Sequence, residues 1–379
     1  MTITTFTNAK IITGDEVING TIQFDDHGIS DIQSGNSQIP AAIDCQGDYI
    51  APGLVELHTD NLERHLQPRP SVHYPHNAAV MAHDRELAST GITTVFDALR
   101  IGSMTPKESQ YQRYARECAH EILHNQAQGN LKISHYLHIR SEVCSETLLD
   151  EIAEFSTEDR IGIVSLMDHT PGQRQFRDIT QMEAYLQGKY GMNREQMDAH
   201  FDSLYELQNR LGKTHEQATI EFARAMNATL ASHDDTTTED VLSSKKNRVS
   251  LAEFPTTVEA AAACREHNIP VMMGAPNLVR GSSHSGNVSA MELVRMNLMD
   301  IISSDYIPSA LLYSAVKVGM ELNDLPQGIA TATRAPALAA GLTDRGELKP
   351  GLRADLIRFS LAADTPLLQS VWCKGQRVS

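Results

Sequence analysis

The chain has 379 residues, of which 21% are charged and 41% are apolar, so it can bury a large core and is not a disordered protein. Its formal net charge of −16 argues against a nucleic-acid-binding protein, which would normally carry a basic stripe. The five cysteines are scattered without CxxC spacing, and neither a membrane-spanning apolar run nor a signal-peptide pattern is present, so we expect a cytoplasmic protein with no membrane partner.

The chain begins with short strand-like segments that are separated by turn signals such as Asn-Gly and Asp-Asp-His-Gly. These predicted strands cover residues 2–7, 10–12, 17–24 and 28–33. The C-terminus has the same character, with strand-like segments at 354–360 and 371–378 around Lys-Pro-Gly and Lys-Gly-Gln turns. Because both ends are β-rich and flank a long middle, we predict that residues 1–48 and 346–379 form one small β-sandwich domain.

Residues 49–345 alternate apolar strands with segments whose apolar positions recur at helical spacing. The eight predicted strands are 49–57, 92–96, 132–139, 161–167, 229–232, 250–254, 270–275 and 301–304. Eight strands with intervening helices predict an α/β fold, a (β/α)₈ TIM-like barrel, with a helix-rich insert near residues 178–226. An open doubly wound sheet is the alternative, but no Gly-x-Gly-x-x-Gly turn follows a strand.

The most informative motif of the chain ends the first of these strands. An apolar run from Ile50 to Leu57 is followed by His58 and Asp60, two residues apart. Residues i and i+2 of a strand point to the same face, so an imidazole and a carboxylate should lie side by side at the strand end. Such a pair forms half of a metal site, although His and Asp near a turn often only hydrogen-bond the backbone.

Polar residues of the same types follow the later strands. In a parallel barrel the active site lies at the carboxyl ends of the strands. Those ends carry Asp97, Arg140, Glu142, Asp168, His169, His233, Asp234, Asp235 and Asp305. Single members have simpler interpretations, since Asp97 fits the cap of a helix starting near Ala98, and Asp234 and Asp235 look like cap or loop carboxylates. The convergence of three histidines and several carboxylates on one face nevertheless predicts a metal site.

Two divalent cations that share a carboxylate would suit this set of side chains. Histidine ligands favour zinc, with manganese or iron as alternatives, over magnesium. Such a pair lowers the pKa of a water molecule and makes it a nucleophile at neutral pH. Asp305, in Ser-Ser-Asp-Tyr after the last strand, could take the proton of that water, which makes it the candidate catalytic residue.

Four long motifs of the chain resemble one known family. They are Pro52-Gly-Leu-Val-Glu-Leu-His-Thr-Asp-Asn-Leu-Glu-Arg-His, Leu166-Met-Asp-His-Thr-Pro-Gly-Gln-Arg-Gln-Phe, Gly274-Ala-Pro-Asn-Leu-Val-Arg-Gly-Ser-Ser-His-Ser-Gly-Asn and Ser303-Ser-Asp-Tyr. Over essentially its whole length the chain resembles the α-D-ribose 1-methylphosphonate 5-triphosphate diphosphatases of the carbon–phosphorus lyase pathway, within the amidohydrolase superfamily. The tail from Gly346 to Ile357 is similar to that superfamily's return into its β-sandwich.

The resemblance implies hydrolysis of the 5-triphosphate to the 5-phosphate with release of diphosphate. It also implies a binuclear centre with the ligands His58, Asp60, Glu142 as the bridge, His169, His233 and Asp305. The first motif departs from the superfamily pattern, because it is His-x-Asp and not His-x-His. No carbamylatable lysine stands at the end of the third strand, since Lys132 begins that strand, so Glu142 must bridge. By strand count His169 and His233 follow strands four and five, one earlier than is usual.

A bound triphosphate needs cationic and bidentate donors, and the loops after the predicted strands contain them. The candidate phosphate-binding residues are Arg64, His65, Arg69, Arg140, Arg174, Arg177, Arg280 and His284. The segment from Gly281 to Gly286 adds backbone amides and hydroxyls that can cradle phosphate oxygens. Surface arginines also pair with acidic residues, so we expect about half of the six arginines to contact the substrate.

Two other functions remain open from the sequence. The same fold could hydrolyse the C–N bond of a cyclic amide or N-acyl substrate, although such a substrate does not require the arginines. The chain could also be a non-catalytic scaffold subunit, although a degenerate barrel would be expected to lose its ligands. The expected partners are a small ribosyl triphosphate and, by function, the other carbon–phosphorus lyase pathway proteins, while homo-oligomer formation is left open.

Overall fold

The computed structural model describes residues 3–69, 71–102, 113–172, 174, 179–283 and 286–379. Two of the predicted phosphate-binding residues, Arg177 and His284, lie outside these ranges. Within them, no helix is both long enough and apolar enough to cross a membrane.

The N-terminal part of the chain forms five strands of one sheet. They are β1 (Thr4–Ile12), β2 (Val17–Asp25), β3 (Gly28–Ser34), β4 (Ile43–Asp44) and β5 (Tyr49–Pro52). β1, β2 and β3 follow each other as antiparallel neighbours, and β4 and β5 both pair parallel to β1. The predicted β-rich N-terminus is therefore organised around β1.

The middle of the chain forms a second sheet of eight parallel strands. They are β6 (Leu54–Thr59), β7 (Ile92–Ile101), β8 (Ser134–Glu142), β9 (Ile161–Met167), β10 (Thr229–His233), β11 (Leu251–Glu253), β12 (Val271–Gly274) and β13 (Ile301–Ser303). Each strand pairs with the next one in the chain, and a parallel bridge between Thr59 and Asp305 joins the end of β6 to the segment after β13. The predicted (β/α)₈ barrel is confirmed.

Three C-terminal strands complete the first sheet. They are β14 (Leu356–Ala362), β15 (Thr365–Cys373) and β16 (Gln376–Arg377). β14 pairs antiparallel with β5, so both ends of the chain share one hydrogen-bonded sheet. Phe6, Phe24 and Trp372 pack edge to face within it, and the centroids of Phe6 and Trp372 are 4.8 Å apart. This sheet thus has a core that both termini supply.

The boundary between the two sheets falls at Gly53, so the predicted single strand over residues 49–57 is wrong. The amide of Gly53 donates to the carbonyl of Asp355 (2.9 Å), which holds the end of β5 against the C-terminal segment. A Cβ at Gly53 would lie 2.3 Å from Oγ1 of Thr93, so the backbone passes this point only because glycine has no side chain. β6 therefore starts afresh at Leu54 and carries His58 to the carboxyl end of the barrel.

The helices lie between and around the strands. They are α1 (Asn61–Leu66), α2 (His76–Ser89), α3 (Ala115–Ala127), α4 (Leu148–Ile152), α5 (Ile179–Tyr190), α6 (Arg194–Leu207), α7 (Lys213–Ala225), α8 (Thr238–Lys246), α9 (Val258–Glu266), α10 (Ala275–Arg280), α11 (Ala290–Arg295), α12 (Ala310–Leu322), α13 (Leu325–Ala330) and α14 (Arg334–Ala339). Capping boxes at Asn193 and Thr237 start α6 and α8. A π-helical turn (Gln208–Gly212) joins α6 to α7 in the predicted helical insert.

The barrel interior has an apolar layer of side chains and, nearer the carboxyl ends of the strands, a polar layer. The apolar side chains form one cluster that includes Val55, Leu57, Phe96, Ile163, Ala231, Leu251, Met272 and Ile301. Further along the strands the buried residues become His138, Ser165, Glu253 and Ser303. Buried polar side chains require hydrogen-bond partners, so we expect the functional side chains of the barrel to start at this polar layer.

A second buried polar cluster lies outside the barrel interior, between α2, β7 and β8. The Asp97 carboxylate lies 2.8 Å from Nε2 of His83 and 2.7 Å from Nδ1 of His135, and Nε2 of His135 lies 3.3 Å from Asp84. All four side chains are fully buried. The prediction that Asp97 caps a helix near Ala98 is wrong, because β7 continues to Ile101 and the Asp97 carboxylate faces two histidines.

This cluster predicts a pH-dependent stability. Burial alone would lower the pKa of His135, but Asp97 and Asp84 outweigh it and raise the pKa to about 9. The stabilisation is complete below the unfolded value of about 6.5 and is lost as pH rises through 9. At about 1.4 kcal/mol per pKa unit, the free energy of unfolding should fall by on the order of 3 kcal/mol from this source.

Urea unfolding at several pH values between about 6 and 10 measures this loss. We expect His135→Gln to be less stable than wild type at the acid end and to show a much flatter profile. Parallel profiles for the two proteins would mean that another group carries the pH dependence.

Candidate metal centre

The first group of metal-type side chains joins the beginning and the end of the barrel. His58 and Asp60 lie at the end of β6, and Asp305 lies two residues after β13. The amide of Asp60 and the hydroxyl of Thr59 both donate to the carbonyl of Asp305, at 3.0 and 2.9 Å. One ligand atom from each of His58, Asp60 and Asp305 lies within 4.8 Å of the others. The fold thus brings Asp305 to two predicted ligands that lie more than 240 residues earlier in the chain.

A second group lies at the ends of β9 and β10. His169 follows β9 by two residues, and His233 is the last residue of β10. Together with Asp234 they place three ligand atoms within 4.8 Å of one another. Asp234, which looked like a cap or loop carboxylate, is buried, has a φ of 58°, and lies 3.3 Å from Nε2 of His233. Its left-handed backbone turns the chain immediately after the strand.

The two groups adjoin through their histidines. The rings of His58 and His233 are stacked, with centroids 5.7 Å apart and an interplanar angle of 18°. The rings of His169 and His233 have centroids 6.0 Å apart. Five of the six predicted ligands therefore lie in two neighbouring groups.

Glu142, the predicted bridge, reaches the second group through a histidine. Its Oε2 lies 2.5 Å from Nδ1 of His169, and its Oε1 accepts from the backbone amides of Cys144 and His169 at 3.3 and 3.4 Å. It also forms a set of three possible ligands with Cys144 and Asp168. Glu142 thus contacts His169 directly, and it belongs to neither of the two groups that contain the other five predicted ligands.

Arg140 places a buried positive charge next to the first group. It lies on β8, and its Nη1 donates to Oδ1 of Asp60 at 2.5 Å. Burial alone would raise the pKa of Asp60, but Arg140 and His58 outweigh it and lower the pKa to about 2. Burial and the Asp60 charge together raise the pKa of Asp305 to about 6. The two carboxyls of one group therefore differ strongly in proton affinity.

Sequence reasoning missed Glu253, whose carboxylate faces one histidine of each group. It is the last residue of β11, fully buried, and in register with His233. Its Oε2 accepts from the Ser165 hydroxyl at 2.8 Å and lies 3.0 Å from Nδ1 of His233 and 3.4 Å from Nδ1 of His58. Its Oε1 lies 3.4 Å from Nε2 of His138. Burial opposes ionisation, yet His138 and His58 hold the pKa of Glu253 well below its usual range.

Three of the predicted phosphate-binding residues, Arg64, His65 and Arg69, lie on α1 or just after it. The guanidinium of Arg64 pairs with Glu86, and Nε2 of His65 lies 2.7 Å from the same carboxylate. Arg69 is exposed and pairs through its backbone with Val72. Arg64 and His65 are therefore already engaged by α2.

Two further predicted phosphate-binding residues, Arg174 and Arg280, differ in their contacts with the rest of the protein. Nη1 of Arg174 donates to the carbonyl of His233 at 2.7 Å and to Oδ1 of Asp235 at 2.9 Å. Arg280 is the exposed last residue of α10, which ends at Gly281 with a φ of 81°. Among the residues that the structure describes, Arg280 has no ion-pair partner. Arg174 is thus tied to the chain around the second group, whereas the Arg280 side chain extends from the protein.

Comparison with known proteins gives a close relative and many structural neighbours. No protein-family model matches the chain. The alpha-D-ribose 1-methylphosphonate 5-triphosphate diphosphatase of Escherichia coli (strain K12) is 38% identical over 374 residues, which cover 98% of this chain and 99% of that protein.

The solved structures that resemble this chain are far more distant in sequence. The N-acetylglucosamine-6-phosphate deacetylase of Pasteurella multocida has a TM-score of 0.64 at 13% identity, over 99% of each chain. The β-aspartyl dipeptidase of Fervidobacterium islandicum has a TM-score of 0.63 at 16% identity, over 100% of this chain and 97% of that one. Enamidase, described as a member of the amidohydrolase superfamily, has a TM-score of 0.61 at 15% identity, over 100% and 93%. At such identities the likeness shows the fold alone, which is that of the amidohydrolases.

Proposed function

The chain belongs to the α-D-ribose 1-methylphosphonate 5-triphosphate diphosphatase family, and from this premise we propose that it hydrolyses that triphosphate to the 5-phosphate and diphosphate in phosphonate catabolism. The observation that carries the proposal is the 38% identity to a diphosphatase over nearly the full length of both chains. Hydrolysis of a C–N bond, or a scaffold role without catalysis, is not favoured by such a relative.

The donor set of the barrel fits divalent cations. Each of the two groups offers histidine nitrogen and carboxylate oxygen within 4.8 Å, a combination that suits zinc, and after it manganese or iron. We assign His58, Asp60 and Asp305 to one cation, and His169, His233 and Asp234 to another. Glu142 next to His169 remains the predicted bridging carboxylate. Cations bound there supply positive charge to the phosphoryl oxygens and make a nearby water more acidic.

Asp305 is the residue to which we assign the proton transfer. Its carboxylate lies in the first group with His58 and Asp60, next to the position where a cation would make a water more acidic. A carboxylate placed beside such a water can accept its proton. Asp60 stays ionised beside Arg140. In this assignment Asp305 takes the proton from the attacking water and Asp60 stays a fixed negative charge.

Hydrolysis of a triphosphate also requires cationic side chains that bind and orient the phosphate chain, and we assign this role to the arginines. Arg140 is fixed beside Asp60 within the barrel. Arg280 is the exposed last residue of α10, the helix that follows β12, and we assign it to the outer phosphates. With the reacting phosphorus at the metal-type side chains and the outer phosphates at the rim, diphosphate is the leaving group.

Phosphorus NMR of the products tests this function. Incubation with a ribosyl 5-triphosphate, and with a nucleoside triphosphate for comparison, should give the 5-phosphate and diphosphate in equal amounts. Early release of orthophosphate would mean that the bond to the outermost phosphate is hydrolysed and that the triphosphate binds in the reverse orientation. Absence of hydrolysis for every triphosphate, with hydrolysis of an N-acyl substrate, would refute the assignment.

A substitution at Arg280 tests how the phosphate chain is held. We expect Arg280→Ala to reduce kcat/KM by about 2–4 kcal/mol, the scale of losing a charge-assisted contact, with metal content unchanged. Arg295→Ala is a matched control, because Arg295 is likewise the exposed last residue of a short helix and pairs with Glu321. Steady-state kinetics should show no change for the control, and an unchanged kcat/KM for Arg280→Ala would remove this residue from substrate binding.

A further inference from the structure

Glu253 contacts one histidine from each of the two metal-type groups. Its Oε2 lies 3.0 Å from Nδ1 of His233 and 3.4 Å from Nδ1 of His58. His58 belongs to the group with Asp60 and Asp305, whereas His233 belongs to the group with His169 and Asp234. One carboxylate oxygen therefore faces both groups.

The surroundings hold this carboxylate in place. Glu253 is fully buried, and the Ser165 hydroxyl donates to its Oε2 at 2.8 Å. The next residue, Phe254, has a φ of 55°, which is a strained conformation for a bulky side chain. Its ring packs edge-on against both imidazoles, with centroids 5.0 Å from His58 and 5.4 Å from His233. Strained backbone of this kind persists where the surrounding structure requires it.

The Glu253 carboxylate is hydrogen-bonded to Nδ1 of His233, whereas Nδ1 of His58 is buried, has no hydrogen-bond partner among the described residues, and faces the same oxygen at 3.4 Å. A carboxylate only accepts, so an imidazole that faces it carries its proton on Nδ1 and keeps the lone pair of Nε2. Carboxylates that bind the second nitrogen of a metal-bound histidine fix its tautomer and its ring orientation.

We propose that Glu253 is a positioning residue that sets the tautomer and orientation of His58 and His233 together, so that a single buried carboxylate prepares both metal positions. The inference rests on the proposed metal-dependent function. A ligand role for Glu253 is the competing interpretation, because Glu253, His58 and His233 also form a set of three possible ligands. Its side chain is already engaged by Ser165 in the polar layer with His138, which favours positioning.

The test is metal binding by the full-length Glu253→Gln variant, with zinc and cobalt(II) as probes. A chromophoric chelator competing for zinc gives the affinity, and the visible spectrum of bound cobalt reports ligand geometry. We expect about 10- to 100-fold weaker binding, the same number of cations per chain as wild type, and a shifted cobalt spectrum. Glu151→Gln is the matched control, because Glu151 is a buried carboxylate that accepts from Thr147 at 2.6 Å and is not in either metal-type group.

Several results would overturn the inference. Wild-type affinity and spectrum in Glu253→Gln would show that the carboxylate does not prepare the histidines, and loss of one whole cation would show that it is a ligand. If Glu253→Gln does not fold, the Ser165→Ala variant is measured instead, because it removes the hydroxyl that donates to Oε2 of Glu253. Weaker zinc binding by Ser165→Ala supports the inference, and unchanged zinc binding overturns it. A wild-type protein that binds no divalent cation would overturn the metal-dependent function as well.

Discussion

Replacement of Asp305 by asparagine is expected to lower turnover by about 10²-fold or more while the fold is retained. Asparagine keeps the shape and one oxygen of the side chain, but its amide cannot accept the proton of the attacking water. The hydrogen bonds from Thr59 and Asp60 go to the backbone carbonyl of Asp305 and should survive. The large effect is therefore expected in the chemical step.

The measurement is kcat at saturating metal, with metal content determined on the same sample. Saturation is needed because Asp305 is also a proposed ligand, so a loss of affinity must be separated from a loss of proton transfer. Asp364→Asn, at an exposed position in the turn between β14 and β15, controls for a general effect of removing a charge. Near-normal turnover of Asp305→Asn across the pH range would remove this residue from the mechanism.

Removal of divalent metal is expected to abolish activity. Without the cations, the negative side chains at the barrel mouth would repel a triphosphate and the water would keep its ordinary pKa. Stability should fall as well, because a ligand present at a thousand times its Kd stabilises the folded state by about 4 kcal/mol. The activity and the unfolding temperature should therefore recover together when metal is restored.

Elemental analysis of the purified protein, followed by chelation and restoration with zinc, manganese, iron or magnesium, checks this prediction. Two equivalents per chain are expected, with zinc, manganese or iron restoring activity better than magnesium. A protein without stoichiometric metal whose turnover is indifferent to chelator would contradict both the cofactor and the ligand assignment.

The parts of the site that local patterns describe could be predicted from the sequence. His58 and Asp60 follow an apolar strand, and Asp305 follows another, so the rule that parallel strands of a barrel end on one face is enough to place them together. The same reasoning gave eight strands for the barrel. Its only inputs were strand periodicity and turn residues, which depend on neighbours in the chain.

What the sequence could not show depends on contacts between distant segments. Glu253 stood in a correctly predicted strand, but its role follows from the register of β11 with β10 and from the depth of its side chain in the barrel. Asp97 looked like a helix cap because its partners His83 and His135 come from other elements. Arg64 and His65 likewise pair with Glu86, which is 21 or more residues away.

The sheet shared by both ends of the chain has a consequence for biosynthesis. β5 lies between β1 and β14 in that sheet, and the pairing of Ala51 with Ile357 spans about three hundred residues. A nascent chain that has formed the barrel but lacks β14 exposes one edge of β5. An unpaired strand edge can form hydrogen bonds with a strand of another chain. The ribosome must therefore deliver nearly the whole polypeptide before this edge is covered, so we expect nascent chains that stop before β14 to aggregate or to require chaperones.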